Sequence, residues 1–308
     1  SAPPSGLEYS LACFSRKPGA FDARVARSSP MIRPLFRRNW TSRAATLSGG
    51  DVVVISIPKS GRTWLRTFLC AYFCRRAGLK MTLEPEQFLR PEIPRVVYSH
   101  DIYEQHTKAV RLWDRVRGKY LVPRASLRQA RVVLLARDPR DAFVSHYIQL
   151  TRRTLETPAE LKRMSAGEML HDRRYGIEPM IGVLNNWISA FTALPRFALA
   201  RYESLRVEPD KSFRALLLAI GENVIDQSAF EHALAFSAFG NMKNMEASGA
   251  FDSKILQPGD ARDAESFKVR RGKIGGFVEY LSAADQAFAA RALASLDPRF
   301  HYSAETRA

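Results

Sequence analysis

Cysteine is scarce in this chain: 308 residues hold three, Cys13, Cys70 and Cys74. Their spacing supplies neither a disulfide framework nor a metal set, so a reducing compartment, the cytoplasm, is the expected setting. Cys70 and Cys74 fall four apart in a helical pattern and read as small buried hydrophobes. Also missing is any apolar run near the roughly 18 residues that a membrane helix needs. Contact with a membrane would therefore be peripheral. Internal repeats and low-complexity linkers are absent as well, which points to one domain. Acidic residues are in deficit, with 31 Asp and Glu against 47 Lys and Arg, leaving a net charge of +16 and a pI near 10.1. Such a field favours anionic partners without choosing among nucleotides, nucleic acid, sulfated glycans and acidic lipids.

Residues 1–48 carry eight basic side chains, from Arg16 to Arg43, against Glu8 and Asp22. They are expected to form an irregular basic arm, with the domain running from 49 to 308. A start at Ser1 rather than Met is what a trimmed or tagged chain shows. From residue 51, short apolar runs alternate with helical patterns: 51–57 then 62–77, 95–100, 131–136 then 141–152, and 196–202 then 209–220. Nearly continuous apolar strands separated by helices predict a single α/β domain with a central parallel sheet flanked by helices. The stretch 240–275 lacks periodicity and reads as a long loop; a further helix is expected around 283–295.

Four segments carry candidate chemistry. In "DVVVISIPKSGRTWLRTFL" (51–69) a strand meets a helix through Pro58-Lys59-Ser60-Gly61. A helix start offers unpaired N–H groups and a positive dipole, and Lys59 adds a full charge there. Standing alone this could be an ordinary strand-to-helix turn. The Walker order is not met, since Lys59 precedes Gly61 and no magnesium-holding hydroxyl follows the lysine. In "RVVLLARDPRDAFVSHY" (131–147) the arrangement recurs, with Arg137 at the strand end and Ser145 on the helix. Arg137 could fork onto a second phosphate or simply pair with Asp141. In "RVVYSHD" (95–101) His100 ends a strand, where a histidine can act as a general base near neutral pH. His106, His146, His171, His232 and His301 are expected to be structural or superficial. Last, "KVRRGKIGGF" (268–277) is a basic, glycine-containing loop able to wrap a phosphate.

In this order the segments resemble the PAPS-dependent sulfotransferase family, of cytosolic or bacterial type, whose members use 3′-phosphoadenosine 5′-phosphosulfate. The similarity spans about 51–290 and implies a P-loop NTPase-like sulfotransferase fold. The family's PKSGTTW loop is matched by Pro58, Lys59, Ser60, Gly61, Thr63 and Trp64, with Arg62 in place of the first threonine. Arg137 and Ser145 match its 3′-phosphate motif, and Arg270, Arg271, Gly272 and Gly275 its late Arg-Lys-Gly-x-x-Gly motif. "RYESL" (201–205) resembles RYEDL and puts Tyr202 on the adenine side. "SAFGNM" (237–242) resembles TSFDVM and adds Ser237, Phe239 and Met242 to the cofactor set. Trp64 falls on the residue that stacks near adenine. His100 matches the catalytic base, and Tyr98 stands on the acceptor side where many members carry lysine. Gly276-Phe277 replaces Asp-Trp, and no KTVxxxE-like dimer motif occurs between Val278 and Ala287.

The resemblance implies sulfuryl transfer from PAPS to an acceptor hydroxyl, leaving PAP, without a metal and without nucleic acid as partner. Lys59, His100 and Ser145 form the implied catalytic set, with Lys59 at the leaving group. Segments 151–190 and 240–265 are expected to shape the acceptor pocket, their basic residues favouring a glycan, a lipid-linked acceptor or another anionic alcohol over a flat phenol. The rivals are a nucleotide or small-molecule kinase and a non-enzymatic polyanion binder. Against the first stands the missing Walker order; against the second, the concentration of basic residues at sheet-edge loops and in the arm.

Overall fold

A computed structural model of the chain describes residues 51–83, 93–108, 112–116, 118–251, 253–260 and 262–303. The basic arm expected over 1–48 lies outside them. Four parallel strands form one sheet in the order β2–β1–β3–β4, with β1 at Val52–Ile55, β2 at Val96–Ser99, β3 at Arg131–Ala136 and β4 at Phe197–Arg201. Because side chains alternate across a strand, a sheet covered on both faces must be apolar at every position of its central strands. That is what Val52-Val53-Val54-Ile55 supplies, all four being fully buried. Val53 and Ile55 join Val132 and Leu134 in a core closed by the helix Ile177–Phe191; Val52 and Val54 join Val133 and Leu135 against the opposite face.

On that second face lies α1, Arg62–Arg76. Phe68 stacks on Phe213 at 3.9 Å between ring centroids and meets Phe230 edge-on at 5.8 Å, tying α1 to the helices Pro209–Ala219 and Gln227–Phe236. Cys70 and Cys74 are buried and unoxidised, as their helical spacing predicts. The fold departs from the sequence reading at Phe239–Ser248, a helix where a loop is expected. Gly240, Asn241 and Asn244 are weak helix formers, and tertiary burial of Met242, Met245 and Glu246 holds the segment instead. The helix expected over 141–152 runs as Pro139–Ile148 and then widens into a π-turn, Gln149–Arg153.

The order β2–β1–β3 reverses direction between β1 and β3. In open parallel sheets ligands bind beyond the strand C-termini at such a point. The first two candidate segments end there. Among the described residues no helix is long and apolar enough to cross a membrane.

Candidate active site at the switch point

Beyond the ends of β1, β2 and β3 opens a cavity of about 640 Å³, lined by Lys59, Gly61, Arg62, Thr63, Trp64, His100, Arg137, Ser145, Tyr202, Phe239, Met242, Arg270, Arg271 and Gly272 among others. Three of the sequence-derived candidates stay outside it. Ser60 is buried and donates to the Ile57 carbonyl, and Ser237 donates to the Ala233 carbonyl. Tyr98 packs its ring under the Arg66 guanidinium at 4.2 Å.

The loop after β1 is built to present N–H groups. Gly61, at φ 93, caps α1 without any side-chain hydrogen bond, and no acidic residue sits in the first turn. By contrast Asp138, Asp226 and Ser282 cap the helices they precede. A Cβ on Gly61 would meet the Tyr202 ring at 2.6 Å, so both backbone and space require glycine there. Lys59 also takes the left-handed conformation, at φ 68, a costly state for a side-chain-bearing residue. Burial first, then the charges of Arg153, Arg137, Lys268 and Arg270, push its ammonium from 10.5 down to about 7. A lysine held among four cations awaits an anion.

Arg137, at the end of β3, pairs with Asp141, the second of the two earlier readings, and still lines the cavity. Its guanidinium donates to the Lys59 carbonyl at 3.1 Å and the Lys273 carbonyl at 3.3 Å, lies 4.5 Å over the Tyr202 ring, and sits 3.8 Å from Asp141. Its buried Nε has no partner. Asp141 is engaged elsewhere too, accepting from the Gly275 and Phe277 N–H groups at 2.8 and 3.0 Å, which pins the basic loop over the strand end. Ser145 faces the cavity one turn along the same helix.

His100 follows β2. Its Nδ1 lies 2.7 Å from the Ser56 carbonyl. A carbonyl can only accept, so Nδ1 carries the proton and Nε2 keeps its lone pair for the cavity. Burial, then the charge of Arg62, holds the imidazole well below its ordinary 6.5, hence neutral at physiological pH. The next residue fixes this position: Asp101, at φ 42, accepts from the Val122 N–H at 2.6 Å and from the Trp187 indole at 2.9 Å.

The basic loop is anchored from the helix Phe239–Ser248. Buried Glu246 accepts from the Lys268 and Val269 N–H groups at 2.7 and 2.8 Å. Gly272, at φ 60, packs so closely on Phe239 that a Cβ would lie 2.5 Å from the ring. Arg270 pairs with Glu265 at 2.7 Å, while Arg271 bridges Glu265 and Glu279.

Sequence reasoning missed several lining groups. Arg153 lines the cavity at the end of the π-turn, one residue beyond the helix read from the sequence. Lys268 lay within the quoted basic stretch without being singled out; burial and Arg153 bring its ammonium down to about 8. Arg206, one turn after Tyr202, sits over the rings of Trp64 and Phe239 at 5.7 and 5.3 Å. His146, read from sequence as structural, lines the cavity with Nδ1 3.2 Å from the Tyr103 hydroxyl. In all, ten Lys and Arg side chains line the cavity against four carboxylates. Among the described residues no group of three His, Cys, Asp or Glu side chains is arranged to hold a metal ion.

An uncapped helix start and a strand-end arginine, meeting across one switch point, define an α/β protein of P-loop-like architecture with a cationic cleft at its strand ends. The sulfotransferase domain family matches residues 49–293, and the chain belongs to that family. It is 24% identical over 243 residues to cytosolic sulfotransferase 16 of Arabidopsis thaliana, covering 75% of this chain and 71% of that protein. The fold is that of retinol dehydratase in complex with androsterone and the inactive cofactor PAP (TM-score 0.53, 18% identity, 81% of each chain). It is likewise that of mouse sulfotransferase SULT7A1 complexed with PAP (TM-score 0.52, 17% identity, 81% of this chain and 86% of the other).

Proposed function

We propose that the protein transfers the sulfuryl group of PAPS to an acceptor hydroxyl, on a glycan, a lipid-linked molecule or a small alcohol. Such a donor needs two anion sites flanking an adenine surface. The residues fit: Lys59 and the α1 start for the 5′ end, Arg137 and Ser145 with the 268–272 loop for the 3′-phosphate, and Trp64, Tyr202 and Phe239 for the base. The orphaned Arg137 Nε and the depressed Lys59 are the marks of a site made for anions. A volume of about 640 Å³ falls within the ordinary ligand-pocket range.

PAPS supplies the activated sulfuryl group; the chain supplies proton handling and charge. His100 Nε2 accepts the acceptor's hydroxyl proton as its oxygen bonds to sulfur and the bond from sulfur to the bridging phosphate oxygen breaks. Lys59, charged once an anion sits beside it, stabilises the charge gathering on that leaving oxygen, and the α1 N–H groups add to it. The observation that carries the reading is the His100 tautomer, fixed by the Ser56 carbonyl with its basic nitrogen toward the cavity.

The test is His100→Ala, measured as transfer of labelled sulfate from PAPS at saturating acceptor. We expect kcat to fall by about 100-fold or more with PAP affinity within twofold, the usual scale of a lost general base. Full turnover in the variant would remove His100 from the chemistry.

A further inference from the structure

Arg62 has no counterpart in the phosphate loop that the sequence resembles, where a threonine stands. It occupies the first turn of α1 and lines the cavity. Among the described residues it makes no hydrogen bond and no ion pair. The carboxylate facing it, Glu104, is committed to Lys108. Behind it, one turn along α1, stands a second guanidinium, Arg66, held over the Tyr98 ring. Two like charges at this spacing destabilise a helix, and the partial burial of the Arg62 guanidinium without a hydrogen-bond partner adds to the cost. A fold retains that arrangement where an anion arrives to complete it.

Lys59 feels Arg153, Arg137, Lys268 and Arg270, the groups around the β1 and β3 ends. Arg62 feels Arg66, Tyr98 and Glu104, is the charge that acts most strongly on His100, and acts on Lys268 as well. Its placement comes from the helix: Arg66, one turn on and so on the same face of α1, lies over the ring of Tyr98 in β2, and Glu104, on the helix after β2, lines the cavity with Arg62. The Arg62 side chain thus stands toward the β2 end, where His100 lies. Resting on the sulfuryl-transfer reading, we propose that Arg62 is an acceptor-anion site: the natural acceptor carries a carboxylate or phosphate on the same skeleton as the hydroxyl that receives sulfate. The planar fork of a guanidinium takes either group in two parallel hydrogen bonds, which orients the hydroxyl toward Nε2.

Charge-matched acceptor pairs test this on the full chain: 4-hydroxyphenylacetate with its methyl ester, glucuronate with glucose, and glycerol 2-phosphate with glycerol. Each compound is measured as an acceptor with labelled PAPS, and by calorimetry on the PAP-loaded protein, which reads binding whether or not turnover follows. We expect the anionic member of at least one pair to bind about tenfold tighter than its neutral partner, the scale of one charge-assisted fork. Arg62→Gln should bring that ratio to near one, and Arg62→Lys should keep part of it. The carboxylate and phosphate pairs say which anion is meant. Equal binding within every pair, or a preference that survives Arg62→Gln, overturns the proposal. So does Arg62→Gln slowing turnover of charged and neutral acceptors alike, which would place the guanidinium on the transferring group, or weakening PAP itself, which would place it on the donor. If PAP binds, the charge preference holds and no acceptor is sulfated, the sulfuryl-transfer reading fails while the anion site stands.

Discussion

Lys59 is the residue whose state depends most on what surrounds it. Burial and four neighbouring cations leave it near half-charged at pH 7 in the unliganded protein. An anion beside it reverses the balance and raises its pKa, so binding draws in a proton wherever the free lysine has lost one. The sign follows directly. At pH 6 the Lys59 and Lys268 ammoniums are already formed and the protein takes up almost no proton, while the PAP phosphates, at about 6 in their second ionisation, give some up. At pH 8 Lys59 takes up about one proton and Lys268, brought down to about 8, a further part of one. Titrating PAP in buffers of different ionisation enthalpy measures the net number, and Lys59→Met should remove about one proton of the uptake at pH 8. Unchanged uptake in that variant would mean that Lys59 lies away from the phosphates. His100 is the complementary case: neutral across this range, it should put the acid limb of the rate profile below pH 6.5.

At the scale of elements, the segment Phe239–Ser248 carries a consequence out of proportion to its length. Glu246 holds the N–H groups of Lys268 and Val269 in the basic loop, both within the protein. Glu246→Ala should lower stability by about 3 kcal/mol, the cost of orphaning buried donors, and loosen PAP binding with it. A urea midpoint and a PAP titration check both; a change under about 0.5 kcal/mol would deny the anchor. This helix was also the element least legible in the sequence. The β1–α1 and β3 units could be read because β-branched runs end in Pro-Lys-Ser-Gly and Arg-Asp-Pro, signals that are local. In "FGNMKNMEAS" the local signal favours a loop, and distant partners decide otherwise. The site divides the same way. Lys59, Arg137 and His100 stand at strand ends that the pattern marks, whereas Arg153 lies past the end of the expected helix and Arg206 depends on which face of a short helix meets Trp64.

At the scale of the whole molecule, the surplus of 47 basic over 31 acidic residues would suit many anions. What narrows the choice is placement. Cations converge on one switch point, Lys59 and Arg137 at the ends of β1 and β3 and the 268–273 loop over them, and aromatic rings stand beside them. The proposed ligand, a nucleotide with phosphates at both its 5′ and 3′ positions and its base on the rings, is the central claim. Comparative calorimetry of PAP and of the same nucleotide without its 3′-phosphate tests it most directly, with no need to know the acceptor. The 3′-phosphate should be worth about 100-fold in affinity, the scale of two charge-assisted contacts, and Arg137→Ala should remove most of that gap. Equal affinities for the two nucleotides would contradict the account.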